Sequence, residues 1–354
     1  VNAKPHIGHA LEFVHADIIA RFKRSQKQDV YFLSGTDENA IKNVQAAESV
    51  GKNINDFVEE NSEIFKGLLQ TLNISIDQFI RTTEDRHKKG VQALWNAVGK
   101  GDIYKKKYSG LYCVGCESFY THEELDPSGY CFEHPGRELE VIEEENYFFR
   151  LSKYGEWLRD IITNGTLTII PESRKNEVLG FIDRGLQDFS ISRPSERTHG
   201  WGVRVPGDES QTVYVWYDAL TNYITALGYP DVQSDLYRKF WVENKHRVHV
   251  LGKGVSRFHA LYWPAMLQSA GLPIPTFEFV HGYITVNGAK MSKTTGNVLD
   301  PIDVIKKYGI EPLRYYLLRE ISAYDDGDFS YEKLEARYTS DLANGLGNFT
   351  ARVL

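Results

Sequence analysis

Apolar residues recur at helical spacing almost from the start of the chain. Ala10, Phe13, Val14, Ala16, Ile18, Ile19 and Phe22, with polar residues between them, predict a helix over 10–22. Pro5 stands just before it, where proline suits a helix start. Residues 30–35 read differently: short, apolar and stopped by Gly35, they predict a buried strand. That strand runs through Thr36-Asp37-Glu38-Asn39 into a helical pattern over 40–50, and further helices are expected at 54–72 and 86–99. Later in the chain 248–252 and 278–285 are strand-like, 212–220 is strand-like and turns helical through Tyr223, and 154–163, 176–186, 257–267, 302–308 and 312–321 are helical. The last stretch, 334–354, reads as one long helix with Leu342, Leu346, Phe349 and Val353 along a stripe. Strand, loop and helix in alternation predict the α/β class, a doubly wound Rossmann-like parallel sheet whose ligands bind at the carboxyl ends of the strands.

A chain of 354 residues is long enough for two or three domains, and 42% hydrophobic with 25% charged residues is ordinary for globular protein. The net charge of -7 excludes a generally basic coat for nucleic acid. Contact with RNA would need a local patch such as Lys100 with Lys105-Lys106-Lys107, a run that reads equally as a solvated loop. No apolar run approaches membrane-spanning length, and no signal peptide is visible.

The chemistry sits in short motifs. His6-Ile7-Gly8-His9 falls on the first turn of the first helix, where unpaired backbone N–H groups and the helix dipole favour an anion. His6 and His9 would donate to phosphate oxygens, and Gly8, lacking a side chain, would admit a flat ring or a phosphate. Alone, the motif reads equally as two surface histidines at a helix end. Its counterpart is Lys290-Met291-Ser292-Lys293, after a turn-like stretch, where two lysines suit a polyphosphate neutralised as it reacts. Three cysteines make no disulfide framework. Cys113 and Cys116 form a C-x2-C knuckle, Cys131 and His134 a C-x2-H pair, with fourteen residues between the pairs. That spacing predicts one closed, tetrahedral, structural zinc site per chain. Asp37 lies at a strand end, where it serves either as a helix N-cap or as the partner of a substrate ammonium group.

The histidine and lysine motifs, in this order, are the signature of class I aminoacyl-tRNA synthetases, and residues 279–293 closely resemble the methionyl-tRNA synthetases. The resemblance runs over essentially the whole chain. It implies ATP-dependent activation of L-methionine to methionyl-adenylate, then transfer to tRNA(Met), with no covalent enzyme intermediate and Mg2+ accompanying ATP. It assigns His6, His9, Lys290 and Lys293 to catalysis, and these with Gly8, Gly252 and Gly254 to ATP. Asp37 would take the methionine α-amino group. Trp216, Ala219, Leu220, Tyr223, Val255, His259 and Trp263 would line the thioether pocket, with Tyr223 and His259 supplying a polar contact to sulfur. The cysteine cluster resembles the single-knuckle zinc insert of one subgroup.

Gly254 departs from the family pattern, which usually has aspartate there bonding the ribose, a loss of about 1.5–3 kcal/mol. Arg193 either orders the active site or forms a buried structural ion pair. The implied division is 1–103 and 176–287 for the two halves of the catalytic domain, 104–175 for the zinc insert, 288–333 for the lysine loop and its support, and 334–354 for the start of a helical anticodon-binding domain. Trimming at both ends, a monomer, no membrane contact, and a cytoplasmic or organellar-matrix location are expected. The alternatives are another class I synthetase (isoleucine, leucine or cysteine), a nucleotidyltransferase of the same superfamily, and a non-catalytic tRNA-binding paralogue.

Overall fold

The structure, a computed structural model, describes residues 1–115, 118–120, 125–132, 136–291 and 298–354. Its first helix spans Ile7–Ser25 and so begins earlier than its apolar stripe, because His6 caps it. Two blocks of parallel strand follow from the strand–helix alternation. Leu33–Thr36 pairs with Gln78–Arg81, and Phe277–His281 lies between Val248–Gly252 and Thr168–Ile170, parallel to both. Parallel strands need crossovers, and helices supply them: Ile41–Ser49 and Ile54–Thr71 in the first block, a continuous helical run over 258–269 in the second.

The expected single sheet is therefore divided in two. The space between holds a cavity of about 1570 Å³. Leu33, Ser34 and Gly35 line one side, Val248, His249 and Val250 the other, and His9, Glu12, Phe13 and Ala16 of the first helix face it as well.

A separate antiparallel sheet has the order Ser118–Tyr120, Ile103–Cys113, Glu140–Phe149, Phe189–Ser190. Its long pair runs in register from Ile103 opposite Phe149 to Tyr112 opposite Glu140. Lys105, Lys106 and Lys107 are thus on a strand and not in a loop. Their neighbours are acidic: Lys107 lies opposite Glu145, and Lys105 meets Asp208 at 2.8 Å and Glu145 at 3.6 Å. Lys105 is thus answered by carboxylates of two sheets, and Lys106 lies over the rings of Tyr104, Tyr108 and Phe148.

A second small antiparallel sheet, Ser192–Pro194, Asp208–Val213 and Arg204–Val205, leads into the helix Val215–Thr225. Residues 215–220, the latter part of the stretch expected as strand, are therefore helical. The aromatic run fits either period, and Asp218 in the first turn favours the helix through its dipole. Arg193 is buried at this junction. It donates to Ser190 Oγ at 2.9 Å and to the Ser192 carbonyl at 2.7 Å, and lies 4.3 Å over the Tyr214 ring.

One hydrophobic core lies under the second block and the helices around it. A smaller one joins Ile7, Ala10, Leu11 and Val14 of the first helix to Leu68 and Leu69, and to Ile284, Val304, Leu313 and Tyr316 from beyond the lysine motif. Met291 and Leu299, which flank residues 292–297, pack against this second core. Packing alone thus brings the ends of the lysine loop to the histidine helix.

Candidate active site

The histidine motif is built by an unusual cap. The His6 N–H donates to His9 Nδ1 at 3.0 Å, and the Gly8 N–H donates to His6 Nδ1 at 3.1 Å. The Ile7 N–H donates to the Leu299 carbonyl at 3.0 Å. The first-turn donors expected to hold an anion are therefore spent inside the protein. What replaces them follows from the tautomer. An Nδ1 that accepts a hydrogen bond carries no proton, so in both rings the proton sits on Nε2, which becomes a donor.

Burial holds both imidazoles below their ordinary range, and for His9, with the adjacent His6 ring, it does so down to about 3. The rings are thus neutral donors at physiological pH, with centroids 4.0 Å apart. Gly8 is required between them, because a Cβ there would stand 2.9 Å from His6 Cε1. On its other side that Cβ would be 3.5 Å from Ile284, just ahead of the lysine motif.

One turn further along the same face is Glu12, which lines the cavity beside His9. Burial pushes its carboxyl up. The hydrogen bond from His281 at 3.1 Å and the charge on that ring outweigh it and leave Glu12 below its usual range. Burial likewise lowers His281, and Glu12 more than reverses this. The two form a charged pair, of which Glu12 lines the cavity. His281 ends a parallel strand, the position where α/β sheets place ligand groups. Neither residue was singled out from the sequence; the signal for Glu12 was its three-residue spacing from His9.

Asp37 lines the cavity at the end of its own strand. It caps no helix, since the next one starts at Ile41 with Ala40 at its N-cap. The loop around it is clamped. Glu38, fully buried, accepts from Arg81 at 2.8 and 3.1 Å and from Thr36 at 2.8 Å, while its N–H donates to Thr82 Oγ1 at 2.9 Å.

Opposite Asp37 the cavity wall is Trp216, Ala219, Leu220, Tyr223 and His259. Trp216 stacks on Phe258, with centroids 4.0 Å apart. His259 Nδ1 lies 3.0 Å from the Val255 carbonyl, which can only accept, so Nδ1 carries the proton and Nε2 accepts from Tyr223 Oη at 2.9 Å. Both donors are consumed in that relay. A donated contact from Tyr223 to a thioether requires the hydroxyl to turn away from His259.

Two expected pocket residues lie elsewhere. Trp263 is fully buried behind Tyr223, its ring 6.2 Å away, and Val255 contributes its carbonyl while its side chain packs in the main core. Neither lines the cavity.

Gly252 lies near His281 and Glu12: a Cβ there would be 3.5 Å from the His281 ring and 4.0 Å from the Glu12 carboxylate. At Gly254, where the resemblance expects a carboxylate, a Cβ would fall 2.2 Å from Tyr283 Oη, so any side chain there requires that ring to turn aside. Tyr283 is held there by its N–H donating to Asp326 Oδ1 at 2.8 Å, and Lys253, paired with Asp326, lies 4.6 Å over its ring. Lys290 is described in its backbone only, in a short strand paired with Ile284–Val286, and Lys293 lies outside the described residues.

Of the expected metal ligands, Cys113 and Cys131 are buried with their sulfurs 3.3 Å apart, and Cys116 and His134 lie outside the described residues. Among the described residues no group of three or more ligands gathers.

A family model described as tRNA synthetases class I (M) matches residues 1–354. The methionine–tRNA ligase of Brucella suis biovar 1 (strain 1330) is 47% identical over 356 residues, spanning 100% of this chain and 68% of that protein. That of Mycobacterium tuberculosis (strain ATCC 25618 / H37Rv) is 44% identical over 357 residues, spanning 100% and 67%. The crystal structure of M. tuberculosis methionyl-tRNA synthetase bound by methionyl-adenylate matches with a TM-score of 0.92 at 43% identity, over 99% of this chain and 68% of that one. The apo form of the same enzyme gives 0.81 at 40% identity, over 99% and 66%. With the family's two motifs present in order in the sequence and this likeness along its whole length, the chain belongs to the class I tRNA synthetases of the methionyl family.

Proposed function

We propose that the chain activates L-methionine with ATP to methionyl-adenylate and pyrophosphate, and passes the methionyl group to tRNA(Met). One observation carries the assignment. A single cavity is lined by His9 and Glu12, by Asp37, and by the aromatic wall of Trp216, Tyr223 and His259. An amino acid laid between Asp37 and that wall presents its carboxylate toward the histidine helix. Attack on the α-phosphorus is then in line and needs positioning and charge stabilisation, with no nucleophile from the protein.

In this reading the neutral Nε2–H groups of His6 and His9 donate to phosphate oxygens, and Glu12 with His281 holds polar groups of the nucleotide. Lys290 and Lys293 close over the β- and γ-phosphates, a motion suited to a loop whose ends pack on the histidine helix. Mg2+ bound with ATP would neutralise charge on the phosphates. The division of the chain given by the motifs is part of the same proposal. Methionine-dependent ATP–pyrophosphate exchange, measured against a panel of amino acids, tests it. Exchange with methionine at least about a hundredfold faster than with leucine, isoleucine or cysteine is expected, since the pocket discriminates by both shape and a polar contact. Exchange without methionine preference would overturn it.

The insert, in this proposal, holds one structural zinc on Cys113, Cys116, Cys131 and His134. The fit rests on the two sulfurs at 3.3 Å, too far apart for a disulfide of about 2.05 Å and close to the roughly 3.8 Å tetrahedral edge that Zn–S bonds of about 2.3 Å produce. Purified protein is expected to carry one zinc per chain. Chelation should destabilise the antiparallel sheet before the parallel blocks, as read by proteolysis. Protein with no bound metal and an unchanged digestion pattern would remove the site.

A further inference from the structure

A chain of buried polar groups joins the loop after Asp37 to the helix Val215–Thr225. His87, in the helix Asp85–Ala97, places Nδ1 2.8 Å from Thr225 Oγ1 and Nε2 3.0 Å from Asp218 Oδ1. Asp218 Oδ2 accepts from Asn39 Nδ2 at 2.9 Å, and the same amide group donates to the Thr82 carbonyl at 3.0 Å. His87, Asp218 and Thr225 are fully out of solvent, and Asn39 and Thr82 nearly so. Gly90 permits the arrangement: a Cβ there would lie 2.2 Å from Thr225 Cγ2, so any side chain would force the two helices apart.

No step of the proposed reaction uses these groups. Burying a carboxylate and an imidazole costs several kcal/mol before pairing, and an apolar contact of equal volume would hold two helices together at least as well. What a hydrogen bond adds is direction. Asn39 sits two residues beyond Asp37 in the clamped loop. Asp218 sits on the pocket helix, on the face opposite Trp216, Ala219 and Tyr223. Ala40 also touches that helix, through Tyr214 and Val215, but apolar contact leaves the loop free to slide. The 2.9 Å bond from Asn39 to Asp218, itself fixed by His87 and Thr225, stops the sliding.

We infer that Asn39 and the Asp218–His87 pair are positioning residues. They set the separation between the amine-binding end of the methionine site at Asp37 and its thioether wall, so that only an amino acid of the right length satisfies both. This rests on the methionine reading above.

The test compares two alcohols on the full chain by calorimetry: methioninol and 4-(methylthio)butan-1-ol, identical but for the amino group. Their affinity ratio in the unaltered protein measures what the amine contributes. With Asn39→Ala that ratio should fall about fivefold or more, the scale of a weakened charged hydrogen bond, while 4-(methylthio)butan-1-ol keeps its affinity within about twofold. Asp218→Asn, whose amide oxygen still accepts from Asn39, should preserve the ratio within about twofold. His87→Gln, which loosens Asp218 from behind, should give the same selective loss at smaller size, and it decides the matter if Asn39→Ala does not fold. Equal weakening of both alcohols would show that the chain of groups only supports packing and would overturn the inference. Failure of the unaltered protein to bind either alcohol would instead remove the methionine reading, and this inference with it.

Discussion

His9→Asn should slow methionine-dependent ATP–pyrophosphate exchange by about 10²–10³-fold while leaving the melting temperature nearly unchanged. The expectation comes from the two separate jobs of one ring. Its Nδ1 accepts from the His6 N–H at 3.0 Å and so completes the helix cap, and its Nε2–H faces the cavity as a neutral donor. An asparagine Oδ1 falls where Nδ1 was and still accepts from the backbone, but nothing reaches the place of Nε2. Losing one preorganised donor to developing negative charge costs about the factor given.

His9→Gln is the inverse. Its amide nitrogen reaches toward the Nε2 position and its cap is lost, so it should retain more activity than asparagine and lose about 1 kcal/mol of stability. Methionine affinity should be steady in both, because the thioether wall and Asp37 are untouched. If asparagine at position 9 kept exchange within tenfold, the histidine would be a cap and nothing more.

How much of this was legible in the sequence depends on the range of each interaction. The first helix, the strand expected at 30–35 and found at Leu33–Thr36, and the two sequence motifs are local patterns, and local patterns survive in a linear reading. The cysteine spacing leads to a four-ligand zinc site, of which the described residues contain only Cys113 and Cys131, with their sulfurs 3.3 Å apart. What failed was long in sequence or ambiguous in period. Glu12 and His281 are 269 residues apart, and Asn39 and Asp218 are 179 apart; no periodicity marks a pair that exists only after two blocks of strand have come together.

The stretch around Trp216 reads as a strand because aromatic and β-branched residues suit a pleated surface. The carboxylate of Asp218 in the first turn favours the helix instead, with Tyr214 at the N-cap making no side-chain capping bond. The backbone donors of the first turn were expected to meet an anion. They turned inward because two imidazoles and the Leu299 carbonyl were close enough to take them.

Asp17→Ala should cost about 3–5 kcal/mol, the scale for breaking one partner out of a buried ion pair. Asp17 is wholly buried on the first helix, yet it accepts four hydrogen bonds. Arg21 Nε donates at 2.8 Å, Arg314 Nη2 at 2.6 Å, and the Ser75 N–H and hydroxyl at 2.8 and 2.7 Å. Arg314 belongs to the helix Ile310–Arg319, which packs beyond the lysine loop, and also holds the Leu72 carbonyl at 2.9 Å. One carboxylate therefore fastens the helix of the histidine motif to the platform of the lysine motif. Its removal leaves Arg314 part-buried without that partner.

Burial alone would raise the Asp17 carboxyl. The bonds from Ser75 and the two arginines hold it below its ordinary value of 3.8. The sign follows from linkage: a depressed carboxylate stabilises the fold above its unfolded pKa, and that contribution is lost as pH falls through the lower, folded value. Urea unfolding at pH 7 should therefore show the full loss for Asp17→Ala. Asp17→Asn, which still accepts from Ser75 on one oxygen, should lose less, and its deficit against the unaltered protein should shrink as the pH is taken below 3.8. Because the fastening joins the two motifs, the affinity for ATP should fall further than that for methionine in the folded fraction of either variant. A loss under about 1 kcal/mol at pH 7, or equal weakening of both substrates, would mean that the second core alone holds the lysine loop against the histidine helix.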